Sequence, residues 1–203
     1  MLEVENLSLT LPDRALIQGL SFRVAPGQVV ALLGPSGGGK STVLDWMTGL
    51  LSADIQASGR ICLQGQDLAG VPCEARRMGL MTQTPLLFPH FDVLGNLKFG
   101  ARDPNTDFQQ VLSEAGLAGV AHQDVATLSG GQVARVSLLR TLLSQPKALL
   151  LDEPFARLDV QLRDQIREFV WQRCPDIPVV LVTHDEQDIP SGAQRIELAD
   201  YAC

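Results

Sequence analysis

The sequence predicts an α/β fold: a mostly parallel sheet with an antiparallel β subdomain at its start and a small helical subdomain inserted. Three unbroken apolar runs carry that prediction. Val29–Leu33, Leu149–Leu151 and Val179–Val182 have the length and composition of strands buried on both faces of a parallel sheet. Each run stops at polar residues able to do chemistry: Gly34 onward, Asp152-Glu153 and Thr183-His184. Open α/β sheets bind ligands at the carboxyl ends of their strands, so these three stops are where a site is expected.

The elements follow in order. Leu2-Glu3-Val4-Glu5 and Ser21-Phe22-Arg23-Val24 alternate apolar and polar, as half-buried outer strands do, and Pro26-Gly27 turns the chain after the second. The Gly-rich stretch after Val29–Leu33 opens a helix through Thr42–Met47, and Met78–Met81 reads as another strand. From Pro85 to Thr127 the pattern changes. Leu86, Leu87, Phe88 and Pro89 give way to helical spacing, where Thr106 and Gln109 predict a capping box and Phe108, Val111, Leu112 and Ala115 share a face before Gly116. Residues 85–127 are therefore read as the helical subdomain, set between 1–84 and 128–203, which form the core. Ser129 with Gln132 predicts a second capping box, opening a helix to about Leu143. Asp159 caps a further helix carrying Leu162, Ile166, Phe169 and Val170, and after a break at Ile189-Pro190 the last strand is expected at Arg195–Leu198.

Bulk properties narrow the function. A chain of 203 residues with 45% hydrophobic content can bury a sizeable core, which excludes disorder. A net charge of −7 argues against a nucleic-acid or anionic-membrane surface, since both require clustered Lys and Arg. Cys62, Cys73, Cys174 and Cys203 lack metal-ligand spacing, so reduced thiols in the cytosol are expected. The apolar runs fall far short of the ~20 residues that span a bilayer, and any membrane role must come through another polypeptide.

Gly34-Pro35-Ser36-Gly37-Gly38-Gly39-Lys40-Ser41 fits the P-loop pattern GxxxxGK[ST], placed as it must be between a buried strand and a helix beginning near Thr42. The glycines let backbone N–H groups curl around phosphate oxygens, Lys40 neutralises the β and γ oxygens, and the Ser41 hydroxyl ligates Mg²⁺. Asp152 supplies a second metal determinant at a strand end, and Glu153 beside it is placed to act as general base toward a water attacking the γ-phosphate. In structural terms Ser129-Gly130-Gly131-Gln132 is a well-capped helix start. The same features, a hydroxyl, the Gly131 amide and the helix dipole, also form an anion site.

Leu128-Ser129-Gly130-Gly131-Gln132, with Leu149–Asp152-Glu153-Pro154 downstream, resembles the signature of ATP-binding cassette (ABC) ATPases, and the likeness extends over essentially the whole chain. The resemblance implies a RecA-like P-loop NTPase core that uses ATP and Mg²⁺. It further implies that Gln83 is the Q-loop glutamine sensing Mg²⁺ and water, that His184 is the switch histidine at the γ-phosphate, and that Asp159 lies in the D-loop along a dimer seam. Because the P-loop and signature sit at opposite ends of one domain in this family, two chains pair head-to-tail around two ATP molecules, a homodimer. Leu87-Phe88-Pro89-His90-Phe91 and Val93-Leu94-Gly95-Asn96 resemble bacterial import ATPases for polyamines, thiamine, sulfate, molybdate or ferric iron. That group implies an integral membrane permease as partner, with a periplasmic or extracellular substrate-binding protein, and a cytoplasmic location on the inner face of the membrane. Exposed Leu86, Leu87, Phe88 and Phe91 would suit a socket for the permease.

Three departures from the family pattern stand out. No aromatic residue occurs near Leu11-Pro12, where the family stacks one on adenine, a loss of roughly 0.5–1.5 kcal/mol. The tail after His184 is short, so no regulatory domain is expected there, and the Phe99–Val111 connection is brief. Alternatives are an ABC subunit of an exporter or cell-envelope complex, a non-transport ABC ATPase, whose long coiled coils find no heptads here, and a small-molecule P-loop kinase, which would leave the signature and His184 idle.

Overall fold

The structure, a computed structural model, describes the chain except Arg157, Asp159, Pro175, Cys203 and the side chains of Val160, Gln161 and Leu162. Two compact units are present. The first comprises Met1–Leu80, Lys147–Glu153 and Cys174–Cys203, and the second comprises Met81–Pro146 and Pro154–Arg173.

The first unit holds two sheets. Strands β1 (Leu2–Thr10), β2 (Ala15–Val24), β4 (Gln56–Leu63) and β5 (Gln66–Asp67) form the antiparallel one, in order β2-β1-β4-β5. In β1 the buried side chains change from even to odd positions, Leu2 and Val4 and then Leu7 and Leu9. A period of two cannot do this without an extra residue, and the register breaks there against both neighbours. Asn6 absorbs the break at φ 51°, and Gly59 on β4 faces it at φ 125°. A Cβ on Gly59 would lie 2.7 Å from Leu7 Cα, closer than any side chain can approach.

Strands β3 (Val29–Leu33), β6 (Met78–Met81), β7 (Ala148–Asp152), β8 (Val179–Val182) and β9 (Gln194–Glu197) form the second sheet, in order β6-β7-β8-β3-β9. β7, β8, β3 and β9 pair in parallel, and the interiors of β3, β7 and β8 are fully buried, as their unbroken apolar runs require. Helix α1 (Lys40–Thr48) presents Val43, Leu44 and Met47 to a single core that includes side chains of both sheets. Each such burial is worth about 1.5–3 kcal/mol. Arg76 closes the end of α1, donating to the carbonyls of Trp46 and Met47 at 3.0 and 2.8 Å. β9 ends one residue earlier than expected because Leu198 turns inward at 2% exposure to begin a 3₁₀ turn.

The second unit contains α2 (Val93–Gly100), α3 (Phe108–Glu114), α4 (Gly130–Leu143) and α5 (Val160–Arg173). Val93 and Leu97 of α2, Leu112 of α3, and Val136 and Leu139 of α4 share one core, with Phe169 of α5 packed against it. That packing groups α4 and α5 with segment 85–127 rather than with the sheets. The sequence did not single out α2 as a helix, although Asp92 caps it, accepting from the Gly95 amide at 2.6 Å. The capping box at Thr106 and Gln109 does not form. Asp107 is the cap, its carboxylate accepting from the Gln109 and Gln110 amides at 3.0 Å each, while the Thr106 hydroxyl donates to the Asp103 carbonyl in the preceding turn. Asp159, expected to cap α5, and the Leu162 side chain lie outside the described residues, whereas Ile166 and Val170 are buried as expected.

The paired break at Asn6 and Gly59 is testable. Gly59→Ala must move backbone, and should cost about 2 kcal/mol or more in chemical denaturation. Gly65→Ala, also at positive φ but facing open space, should cost only about 1 kcal/mol.

Candidate nucleotide-binding and hydrolytic site

The parallel register brings three strand ends to one level of the first unit. Leu32 pairs with Val182, and Val182 with Asp152, so Gly34, Thr183-His184 and Glu153 all leave the sheet at the same rim.

The P-loop is built by local geometry. After Gly34, at φ 142°, the Gly38 amide donates to the Pro35 carbonyl at 3.1 Å, and Gly39, at φ 89°, turns the chain into α1. A side chain at Gly39 would press on Leu16, 3.0 Å from its Cβ position, so strand β2 backs the loop. Lys40 is 8% exposed, and its Nζ donates to the Gly34 and Pro35 carbonyls at 2.7 and 2.8 Å, which fixes the ammonium within its own loop. Ser36, Gly37 and Ser41 are exposed, and Thr42 is half-buried one residue further along α1.

The carboxylates lie beside this loop. Burial pushes the Asp152 carboxyl above the usual range; the Ser41 hydroxyl, hydrogen-bonded to it, pulls it back, Glu153 raises it again, and Lys40 lowers it. Asp45 on α1 is also raised, by burial and then by Asp152. A hydroxyl bonded to a carboxylate that gathers negative neighbours is a donor set suited to Mg²⁺, and Ser41 with Asp152 fits that ion. Glu153 sits at φ 46°, a left-handed conformation uncommon for its residue type, with its amide donating to the Val182 carbonyl at 2.9 Å. Its Oε1 lies 3.4 Å from His184 Nδ1, and His184 is 64% exposed. A carboxylate and an imidazole held this close can share the positioning and deprotonation of a water.

Gln83 and Ser129–Gln132 belong to the second unit. Gln83 follows β6 and is exposed. Ser129 caps α4 in the expected box: the Gln132 amide donates to Ser129 Oγ at 3.3 Å, and the Ser129 amide donates to Gln132 Oε1 at 2.8 Å. The Ser129 oxygen is thus used as an acceptor, which leaves its O–H to donate outward beside exposed Gly130 and half-buried Gly131. Asp159 is outside the described residues.

The same unit carries an aromatic surface. Leu86 is 66% exposed and Phe91 36%, as the sequence anticipates, whereas Leu87 and Phe88 are half-buried, and Phe99 at 65% joins the surface from α2. Phe88 packs its ring 4.6 Å from Phe99 and 5.9 Å from Phe91. Phe99 went unnoticed because α2 was not seen as a helix. Two organising residues were also missed. Asn96, fully buried, receives the Phe88 amide at 2.8 Å and donates to the carbonyls of Phe88, Phe91 and Asp92 at 3.1–3.3 Å. Arg140 of α4 donates to Asn96 Oδ1 and the Leu86 carbonyl at 3.3 and 2.6 Å, with its guanidinium 5.2 Å from the Phe88 ring. A buried Asn inside a helix is the available sequence signal, though its partners could not be read from it.

In the first unit, Leu11 is half-buried against the core and closes a turn with the Arg14 carbonyl at 2.8 Å. Among the described residues no helix is long and apolar enough to cross a membrane.

A family model described as "ABC transporter" matches residues 17–156. The chain is 46% identical to the uncharacterized ABC transporter ATP-binding protein YnjD of Escherichia coli (strain K12), over 100% of this chain and 97% of that protein. It is 38% identical to the Fe(3+) ions import ATP-binding protein FbpC of Streptomyces coelicolor, over 97% of this chain and 58% of that one. To the spermidine/putrescine import ATP-binding protein PotA of Mesoplasma florum it is 35% identical, again over 97% of this chain and 58% of the relative. It therefore spans little more than half the length of those two import proteins. Among solved structures, a bacterial Atm1-family ABC exporter with ATP bound superposes with a TM-score of 0.83 at 27% identity, over 97% of this chain and 36% of the exporter chain. The ATP-binding subunit of an ABC transporter superposes with a TM-score of 0.77 at 27% identity, over 91% and 79%.

The raised Asp152 predicts a pH signature in the ligand-free protein. Because folding binds its proton more tightly, stability is lost as pH rises from the unfolded carboxyl pKa through the folded one. Asp152→Asn removes that loss, so without Mg²⁺ and nucleotide the variant should melt above wild type at pH 7, and the gap should narrow toward pH 4. Thermal denaturation across that range checks it, and a gap independent of pH would contradict it.

Proposed function

Because the chain belongs to the ABC transporter family as an ATP-binding subunit, we propose that it is the Mg-dependent ATPase whose head-to-tail dimer drives a separate membrane permease. The observation that carries this reading is the convergence, at one rim of the sheet, of Lys40 in its loop, Ser41 bonded to Asp152, and Glu153 3.4 Å from His184. The glycines and amides of Gly34–Gly39 cradle the ATP phosphates, with Ser41 and Thr42 at the start of α1. Ser41 and Asp152 would hold Mg²⁺, which would supply charge neutralisation at the phosphate oxygens. Glu153 takes the proton of the attacking water, and His184 orients that water and the γ-phosphate. Ser129, Gly130, Gly131 and Gln132 of one chain donate to the γ-phosphate bound by the other.

Import is the favoured direction, supported by the relatives named as import proteins at 35–38% identity. The permease would rest on Leu86, Phe88, Phe91 and Phe99, bring the chain to the inner face of the membrane, and work with an external substrate-binding protein. Likeness to an exporter at 27% identity supports export as the second reading. Co-purification of the permease from the native membrane, with identification of any binding protein, decides between them.

Glu153→Gln should bind ATP, hydrolyse it at least about 100-fold more slowly, and accumulate as a dimer in size-exclusion chromatography. Lys40→Ala should lose nucleotide binding. Wild-type turnover in the first, or tight ATP binding in the second, would overturn the assigned roles. With aliphatic Leu11 where the family stacks an aromatic on the base, GTP should displace ATP at concentrations within a few-fold of ATP itself. A Leu11→Tyr variant should restore preference for ATP by up to about tenfold.

A further inference from the structure

Beyond β8 the chain makes a short loop whose internal bonding goes further than its apolar strand requires. Thr183, the first polar side chain after Val179–Val182, is 2% exposed, and so is Asp188 five residues on. The Thr183 hydroxyl donates to Asp188 Oδ2 at 2.9 Å and accepts from the Asp185 amide at 3.1 Å. The Asp188 amide donates to the Asp185 carbonyl at 3.1 Å, and the Asp185 carboxylate accepts from the Gln187 amide at 2.9 Å. The loop is thus bonded end to end by side chains and cross-braced by its backbone. His184 is the residue it encloses. Its ring stands outside the loop, 64% exposed, facing Glu153.

Burying a carboxylate is expensive, and an apolar pair at 183 and 188 could fill the same volume without that cost. What an apolar pair cannot supply is directional bonding. Two hydrogen bonds converging on the Thr183 hydroxyl set the main-chain path into and out of residue 184, and an error of about 1 Å at a reacting group can cost on the order of 100-fold in rate. We propose that Thr183 and Asp188 form a latch that holds the His184 main chain in place, making both of them positioning residues for ATP hydrolysis. The latch rests on the reading of His184 as the residue that meets the γ-phosphate.

The test is steady-state hydrolysis of Mg-ATP by the full chain. Thr183→Val keeps the shape and removes the hydroxyl; it should lower kcat about tenfold or more and leave KM for ATP within about twofold. Thr183→Ser, which restores the donor, and Asp188→Asn, whose amide oxygen still accepts, should recover most of the rate. Asp188→Leu should match Thr183→Val, and the double variant should be no slower than either, because one latch can be opened only once. Nucleotide binding by each variant, measured by titration, verifies an intact P-loop. Wild-type kcat in Thr183→Val, a raised KM at unchanged kcat, or additive losses in the double variant would overturn the latch. His184→Ala separates the two ideas: if it is slow while Thr183→Val is not, the latch fails alone, and if it turns over at the wild-type rate, the reading of His184 fails and the latch with it.

Discussion

Parallel pairing in register is the constraint on which the first unit depends. The interiors of β7, β8 and β3 are apolar and buried on both faces, so nothing reactive sits inside them, and chemistry is displaced to where they stop, beginning with Asp152 at the last position of β7. Their register makes them stop together. The phosphate loop, the carboxylate pair and the histidine come from distant parts of the sequence, yet they reach one rim because each follows a strand of nearly the same length. Glu153 shows what this demands locally: to leave β7 at the correct place its backbone takes a left-handed turn that its residue type disfavours.

The second unit solves a different problem, which is to present a helix terminus and an aromatic surface without a sheet to support them. α4 is the shared member. Its first turn carries the capped start at Ser129, and its last turn carries Arg140, which bonds Asn96 and the Leu86 carbonyl beneath the exposed rings. The aromatic loop is held from within by Asn96, which bonds three of its carbonyls and one of its amides. Rings that stand in water need such an anchor, because they have no core of their own to fix them.

Legibility in the sequence followed the range of the interaction. The apolar runs at 29–33, 149–151 and 179–182 announced their strands because a doubly buried strand leaves no polar position, and the box at Ser129 and Gln132 was readable because it closes within one turn. Local reading failed where two nearby caps competed: Asp107 outbid Thr106 because a carboxylate takes two amides, whereas the Thr106 hydroxyl was already engaged in the turn before it. Helix α2 was hidden by two glycines, Gly95 and Gly100, within an eight-residue segment. At the rim of the sheet, Lys40, Ser41, Asp152 and Glu153 could be named from pattern and chemistry and His184 only through family resemblance, whereas Gln83 lies in the second unit and Asp159 outside the described residues. The bond from Thr183 to Asp188 was invisible, since nothing in a string of polar residues says which of them point inward.

The irregular antiparallel sheet has a consequence for solubility. Its edge strand β5 is two residues long, with its Asp67 paired to Arg60 of β4, while the opposite edge, the ten-residue β2, carries Arg23 in ion pairs with Glu3 and Glu5. The edge strand β9 of the other sheet is four residues long and exposes Arg195 and Glu197. Short or charged edges are poor templates for a stray strand from another molecule. Under the proposed cycle of dimer closure and release, edges of that kind favour reversible association over fibril or aggregate.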